Sequence, residues 1–153
     1  MLRDGTVTKL MTMLQKAMIF FVLLLPSAFF AWCYRDMPWF GHLHDDSLIF
    51  VTAQSLASGD GYKIASLPET PSQTKYPPLY SLYVSLAWHW NPNFPQNLAQ
   101  AALLNWLALA AALCLSWNFF RQCGITDSAC AGATAVLAVS PYLLLFEIGR
   151  AHV

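Results

Sequence analysis

The sequence predicts an all-α, polytopic membrane protein with about four transmembrane helices, forming part of a larger helical bundle. Charged residues make up 10% of the chain, compared with roughly 25% in soluble domains, and hydrophobic residues make up 57%. Mean hydropathy is +0.45, and several uncharged apolar stretches approach the ~20 residues that a spanning helix needs. The eight acidic and eight basic residues cancel, so net charge gives no reason to expect nucleic acid as a partner. The partner that this composition predicts is the lipid bilayer.

Residues 17–34 form the first predicted span, because they are apolar, uncharged and near the minimum spanning length. Arg3, Lys9 and Lys16 precede this span, and positive charge before a span favours a cytoplasmic N-terminus. Residues 1–16 are therefore predicted to be a cytoplasmic tail. A cleaved signal peptide would share the basic start and the apolar core. The bulky aromatic exit FFAWCY is unlike a cleavage site and favours an uncleaved anchor.

An extracytoplasmic loop, residues 36–75, is predicted next. Lipid cannot host it, because five of the eight carboxylates lie there: Asp36, Asp45, Asp46, Asp60 and Glu69. From Asp46 to Gly59 apolar residues recur at helical spacing, which predicts a short helix lying along the membrane surface. Asp45 or Asp46 is its expected N-cap, since a carboxylate there accepts backbone N–H groups and meets the positive end of the helix dipole.

Residues 76–90 are predicted to return through the membrane as a second span, with two prolines in the first turn, where backbone N–H groups are unpaired in any helix. The segment is short, so a half-buried helix is the alternative. Its aromatic residues fit an interfacial belt at the membrane boundary: Tyr80, Tyr83, Trp88 and Trp90.

Residues 98–120 give the clearest predicted span, and residues 128–146 begin a fourth. Asn105 is a polar member of the third span and is expected to hydrogen-bond a neighbouring helix. Simple alternation puts the turn at residues 121–127 outside, although the positive charge of Arg121 disfavours that side.

Four cysteines, Cys33, Cys114, Cys123 and Cys130, show neither CxxC spacing nor histidine partners, so no zinc site is predicted. Packed or lipid-facing thiols are the ordinary interpretation. Cys123 and Cys130 flank one short loop and could pair if that loop faces an oxidising compartment.

The last seven residues, Glu147 to Val153 (EIGRAHV), end an apolar run abruptly. They can be back-translated as GAG ATC GGA AGA GCA CAC GTC, a string that matches a widely used sequencing adapter. We therefore expect these residues to be a read-through artefact and the natural chain to continue; an ordinary polar tail is the alternative. An intact reading frame ending at Val153 in DNA re-amplified from the source would refute this expectation.

The densest group of ionisable side chains follows the first predicted span: His42, His44, Asp45 and Asp46. A carboxylate at the membrane surface can accept a proton from an acceptor hydroxyl during group transfer, which is the functional interpretation. The structural interpretation is a helix cap beside solvated loop charges. Taken alone, the carboxylate pair favours the cap, because Asp is common at N-caps.

Further motifs follow Asp45 and Asp46 in order: Ala53, Leu56, Gly59-Asp60-Gly61-Tyr62 and Pro77-Pro78-Leu79-Tyr80. In this order and spacing the chain resembles the beginning of the C class of polytopic membrane glycosyltransferases, which includes protein O-mannosyltransferases and lipid A aminoarabinose transferases. The resemblance covers residues 17–146 in topology, but its specific motifs occupy only residues 45–80. It implies residence in the bacterial inner (plasma) membrane. Because the family has many more spans, this fragment alone is expected to be inactive.

The resemblance implies transfer of a sugar from a polyprenyl-phosphate donor to an acceptor glycan, lipid or protein at the outer membrane face, with inversion at the anomeric carbon. Asp45 matches the catalytic position and would act as base; Asp46 matches the second acidic position, which supports geometry or a divalent metal in some relatives. Lys75 would bind the donor phosphate, with Tyr76 and His44 as further substrate-binding residues. Relatives often have Lys directly before Pro-Pro, whereas Tyr76 intervenes here. No cofactor is implied beyond that optional metal.

Two other classes of function remain open. A transporter or channel subunit would bury ionisable residues inside its spans as relays, whereas the predicted spans contain almost none before Glu147. A non-enzymatic membrane assembly protein would need no ordered acidic motif.

Overall fold

The computed structural model describes residues 3–34 and 44–140, and the side chains of residues 14–29 and 45–140. This part of the chain is all-α, as predicted, and contains five helices. They are α1 (Arg3–Tyr34), α2 (His44–Ala57), α3 (Pro78–Trp90), α4 (Leu98–Gln122) and α5 (Asp127–Ala138). Several predicted features lie outside the described residues: Asp36, His42, the end of the fourth span and the EIGRAHV tail.

α4 contains the whole of the clearest predicted span. It has 25 residues and, among the described helices, is the only one long and apolar enough to cross a membrane. At about 1.5 Å per residue, a helix of this length exceeds the ~30 Å hydrocarbon core of a bilayer. α1 is longer still, with 32 residues, and its described side chains, Leu14–Phe29, form a shorter apolar stretch.

α1 and α4 run antiparallel. Near the start of α4, Trp106 donates its indole N–H to Ser27 Oγ, late in α1, at 3.1 Å. Further along α4, Trp117 packs edge-on against Phe20, with ring centroids 5.5 Å apart. Contacts therefore retreat along α1 as they advance along α4, which requires the two helices to point in opposite directions.

α5 folds back beside α4 and also contacts α1. Ala138, at the end of α5, is buried against Leu109 and Leu113 of α4, and apolar residues of α1 pack against this cluster: Phe20, Leu23 and Leu24. Small residues fill much of α5 (DSACAGATAVLA), so its backbone can approach its neighbours closely. The three helices together form the larger apolar body of the described chain.

A tight turn joins α4 to α5. Gly124 has a φ of +79°, a left-handed conformation that glycine adopts without steric strain. Arg121 Nη1 lies 3.0 Å from Asp127 Oδ1 across this turn. Cys123 is exposed and Cys130 is buried, and both are free thiols. The alternative in which these two cysteines pair is therefore not the arrangement found.

α2 and α3 pack side by side and point in the same direction. Phe50 and Trp88 have ring centroids 5.0 Å apart, and Trp88 Nε1 donates to the Phe50 carbonyl at 3.1 Å. At the start of both helices, Asp45 contacts Lys75, which precedes α3 by three residues. Contacts thus advance along both helices, so residues 58–77 must run back along α2. Two further residues complete this buried cluster: Ala53 and Val84.

α3 differs from the second predicted span in its length and in the role of one aromatic residue. It begins at Pro78 and has 13 residues, which at about 1.5 Å each gives a rod of roughly 20 Å. Trp88 is 7% exposed and belongs to the α2–α3 core, whereas Trp90 is 62% exposed. The predicted belt role is therefore wrong for Trp88, because its ring lies on the face that packs against α2.

The predicted interhelical role of Asn105 is confirmed. Tyr80 Oη donates to Asn105 Oδ1 at 3.2 Å, and one turn further along α3, Tyr83 donates to the carbonyl of Leu104. Two phenol groups of α3 thus attach it to α4. They connect the α2–α3 pair to the body formed by α1, α4 and α5.

Candidate active site

The two carboxylates of the acidic motif lie in the first turn of α2. α2 begins at His44, so Asp45 and Asp46 are inside the helix. The prediction that one of them is the N-cap is therefore wrong, because the helix extends upstream of the residue where apolar periodicity starts. Both charges still lie where unpaired backbone N–H groups favour anions. Asp46 Oδ1 accepts the backbone N–H of Ser47 at 2.7 Å.

Asp45 forms an ion pair with Lys75, thirty residues further along the chain. Lys75 Nζ donates to Asp45 Oδ1 at 2.7 Å, and the two side chains are 59% and 27% exposed, respectively. Water and salt screen a pair this exposed, so it adds little to stability. The ion pair places an acceptor carboxylate and a donor ammonium side by side at the protein surface.

The segment between α2 and α3 is shaped to return Lys75 to the start of α2. Gly59 and Gly61 have φ values of +81° and +88°, in the left-handed region that favours glycine, and they turn the chain as it leaves α2. Lys63 and Ser72 then form an antiparallel bridge. This bridge closes residues 64–71 into a hairpin-like excursion, after which the chain continues to the site.

Tyr62, the last residue of the GDGY motif, holds the segment that carries Lys75 in place. Its hydroxyl donates to the Tyr76 carbonyl at 2.9 Å, and its own carbonyl accepts the Gln73 backbone N–H at 3.0 Å. The Gln73 side chain in turn accepts the Lys75 backbone N–H at 3.0 Å. Backbone groups on both sides of Lys75 are therefore fixed, which holds its side chain toward α2.

Tyr76 lies beside the ion pair. Lys75 Nζ is 4.9 Å from the centroid of the Tyr76 ring, within the range of a cation–π interaction. The hydrogen bond to Asp45 raises the pKa of Lys75, and the contact with Tyr76 raises it further. Burial raises the pKa of the Tyr76 phenol, and the Asp45 carboxylate adds to that rise. Near neutral pH the site therefore presents an ammonium ion and a protonated phenol.

The structure brings together three of the five predicted site residues: Asp45, Lys75 and Tyr76. Asp46 bonds to the neighbouring backbone, and the side chain of His44 lies outside the described residues. Two positioning residues, Tyr62 and Gln73, were not predicted. Tyr62 stands in the GDGY motif, and glycines of this kind are typical of turns, but its hydrogen bond to Tyr76 depends on the return path of the loop.

No group of three His, Cys, Asp or Glu side chains in the described part of the chain is close enough together to hold a metal ion. The cation that contacts Asp45 in the described part of the chain is the Lys75 ammonium, at Oδ1.

Comparison with known proteins gives no significant similarity: no protein-family profile, no curated protein and no solved structure matches this chain.

Proposed function

We propose that this chain belongs to a membrane glycosyltransferase that moves a sugar from a polyprenyl-phosphate donor to an acceptor at the outer face of the bacterial inner membrane. The observation that carries the proposal is the exposed pair of Asp45 and Lys75 beside Tyr76. Group transfer from a phosphate donor needs an acceptor for a proton and a cation for the phosphate, and these two residues supply both.

Lys75 is the proposed phosphate-binding residue. Its ammonium is exposed and already oriented, with the backbone on either side held by Tyr62 and Gln73. A phosphate at the headgroup level would take over hydrogen bonds that Lys75 now gives to Asp45. Donor binding would thereby weaken the hold of Lys75 on the Asp45 carboxylate, so that the base becomes more available when the donor is present.

Asp45 is the proposed base. The acceptor hydroxyl oxygen forms a bond to the anomeric carbon on the face opposite the phosphate, while the bond from that carbon to the phosphate oxygen breaks. The electron pair leaves with polyprenyl phosphate, and the hydroxyl proton passes to Asp45. Attack from the opposite face inverts the anomeric carbon. The proposed part of Tyr76 in substrate binding is to orient the Lys75 ammonium, which lies 4.9 Å from the centroid of its ring.

The proposed topology has α1 and α4 crossing the membrane and α3 lying at its outer surface. The antiparallel contacts of α1 and α4 support this arrangement. If α1 leads out of the cytoplasm and α4 leads back, the residues between them all lie on the outer side of the membrane. It also puts Arg121 on the cytoplasmic side, where positive charge is favoured. In the simple alternation of spans, α3 would also cross the membrane and the turn at residues 121–127 would lie outside. That topology would require α4 to run parallel to α1. α5 then begins a further span.

Replacement of Asp45 by Asn in the gene, as recovered from its source DNA, tests the proposal. Membrane vesicles receive radiolabelled polyprenyl-phosphate sugars, and transfer to endogenous acceptor is measured. Loss of a general base lowers turnover by about 10²- to 10⁴-fold while membrane insertion is retained. The matched control is Glu69→Gln, which removes an exposed charge from the same segment.

The same experiment separates the proposed enzyme from the other classes. Transfer at the wild-type rate in the Asp45→Asn variant would show that Asp45 is not the base and that its ion pair with Lys75 has a structural role. If wild-type vesicles transfer no sugar from any polyprenyl-phosphate donor, the enzymatic proposal itself fails.

A further inference from the structure

The exposed side of α3 carries large apolar side chains, whereas two serines of the same helix, Ser81 and Ser85, are buried. The spacing of the exposed residues confines them to an arc of about 80° round the helix. We call them the α3 stripe, and they are 50% to 76% exposed: Leu79, Leu82, Leu86 and Trp90. A helix that faces water has the reverse pattern, with polar residues outside and apolar residues inside. The pattern of α3 therefore indicates apolar surroundings for the stripe.

The contact between α2 and α3 is of the kind found between helices in a membrane. Small side chains such as Ala53, which is fully buried, allow helices in lipid to approach closely. Hydroxyl groups near this contact bond within their own helix. Thr52 Oγ1 donates to the Leu48 carbonyl at 2.7 Å, and Ser85 Oγ donates to the Leu82 carbonyl at 2.6 Å. Bonds of this type satisfy a hydroxyl group without water.

The surface from α3 to α4 carries no charged residue. Residues 76–120 contain no Asp, Glu, Lys or Arg. α4, which is long and apolar enough to cross a membrane, exposes Leu103 and Leu107. Between these leucines in the sequence lies Asn105, which accepts the hydrogen bond from Tyr80 in the first turn of α3. The α3 stripe and the outward leucines of α4 therefore adjoin, and a bilayer that surrounds α4 would also reach α3.

We propose that the α3 stripe is immersed in the acyl chains of one membrane leaflet, with α3 lying along the membrane surface. α3 has 13 residues, so at about 20 Å it is too short to cross a hydrocarbon core of ~30 Å. His89 and Trp90, both exposed in its last turn, suit the boundary between headgroups and acyl chains. Lys75 precedes α3 by three residues and is thereby held at the level of the lipid phosphates. That its phosphate partner is a sugar donor rests on the proposed function.

Spin labels on the full chain, in bilayers of phosphatidylcholine and phosphatidylglycerol, test the depth of the α3 stripe. Each label is attached to one introduced cysteine, Leu82→Cys or Leu86→Cys, in a background whose native cysteines are replaced by Ser or Ala. Collisions with oxygen, which concentrates among acyl chains, are compared with collisions with a neutral nickel chelate, which stays in water. We expect both labels to lie roughly 5–10 Å below the lipid phosphates. Matched labels at Ser66→Cys and Glu69→Cys, two exposed positions in the loop before α3, should lie at or above the phosphates.

The other outcomes of this experiment overturn the proposal. If the nickel chelate reaches the α3 labels as readily as the loop labels, the stripe faces water. If neither reagent reaches them, or if labels on two copies broaden each other's spectra, protein covers the stripe, either a further segment of this chain or a second copy. None of these outcomes involves a sugar donor, Asp45 or Lys75, so they are distinct from failure of the proposed function.

Tryptophan quenching gives a second measurement that needs no label. Lipids brominated on their acyl chains quench the emission of a tryptophan that touches them. Trp90 is 62% exposed and Trp88 is 7% exposed, so the two residues of α3 are controls for each other. We expect the quenched fraction of the emission to fall in Trp90→Phe and to rise in Trp88→Phe, which removes an unquenched ring. An unchanged or larger quenched fraction in Trp90→Phe would contradict the proposal.

Discussion

Lys75 Nζ lies 2.7 Å from Asp45 Oδ1, so the proposed phosphate ligand and the proposed base are each other's partner in the free protein. The ammonium has three N–H groups and the carboxylate has two oxygens, so this contact uses only part of the hydrogen-bonding capacity of each. A donor phosphate that binds the ammonium would weaken its hold on the carboxylate. The arrangement ties the availability of the base to occupancy of the donor site and predicts that the two residues are not interchangeable.

Exchanging the two charges distinguishes a chemical role from a structural one. The double variant Asp45→Lys with Lys75→Asp can reform an exposed ion pair, so we expect its stability in detergent to fall only by the roughly 0.3–1 kcal/mol that a cation costs in the first turn of α2. Sugar transfer should stay about 10²-fold or more below the wild type, because the carboxylate is then on the wrong side of the reacting carbon. If the double variant recovers sugar transfer as well as stability, the ion pair has only a structural role.

The pKa of Lys75 gives a second prediction. The hydrogen bond to Asp45 raises this pKa above 10.5, so the ammonium contribution to folding is fully present below pH 10.5 and is lost as pH rises through the higher folded-state value. NMR titration of ¹³C-methylated Lys75 should therefore show a midpoint that falls in Asp45→Asn. Equal midpoints in the two proteins would contradict the ion pair.

Trp88 is expected to be the most sensitive aromatic residue of α3. Trp88→Phe removes the donor to the Phe50 carbonyl and should destabilise the protein by about 1 kcal/mol, and Trp88→Ala by about 3–5 kcal/mol. Trp90→Ala, at an exposed position two residues away, should change stability by roughly 0.5 kcal/mol or less. Denaturant titration in a fixed detergent measures all three. Equal losses at the two tryptophans would contradict the buried position of Trp88.

Cysteine labelling tests the direction of α4. In a background carrying Cys33→Ser and Cys114→Ser, the native exposed Cys123 should react with a membrane-impermeant maleimide only after the cells are permeabilised. A cysteine introduced at Glu69 should react in intact cells. Reaction of Cys123 in intact cells would restore the simple alternation of spans and contradict the proposed topology.

Features that depend on local sequence were predictable. The end of α2 followed from Gly59, the start of α3 from its prolines, and the polar contact of Asn105 from the presence of an amide in an apolar helix. In each case the chemistry of the residue itself decides the feature: glycine ends a helix, proline begins one, and a buried amide needs a hydrogen-bond partner.

Features that depend on the direction of packing were not predictable. Trp88 and Trp90 are both aromatic residues near a helix end, and only the position of α2 decides which one is buried. The direction of α4 likewise depends on contacts made by Ser27 and Phe20 in a distant helix. For the site, the sequence identified Asp45 and Lys75 separately. Their meeting requires the loop to reverse along α2, and the hydrogen bond of Tyr62 that supports this reversal is a tertiary contact.

The bridge between Lys63 and Ser72 has a consequence for how this segment can diverge. Because the excursion is tied at its base, insertions or deletions at its tip need not shift Lys75 relative to Asp45. Homologues are therefore expected to vary in length between these two residues while keeping the spacing from Ser72 to Lys75 constant. Residues 64–71 can therefore change during evolution without moving the Asp45 carboxylate or the Lys75 ammonium.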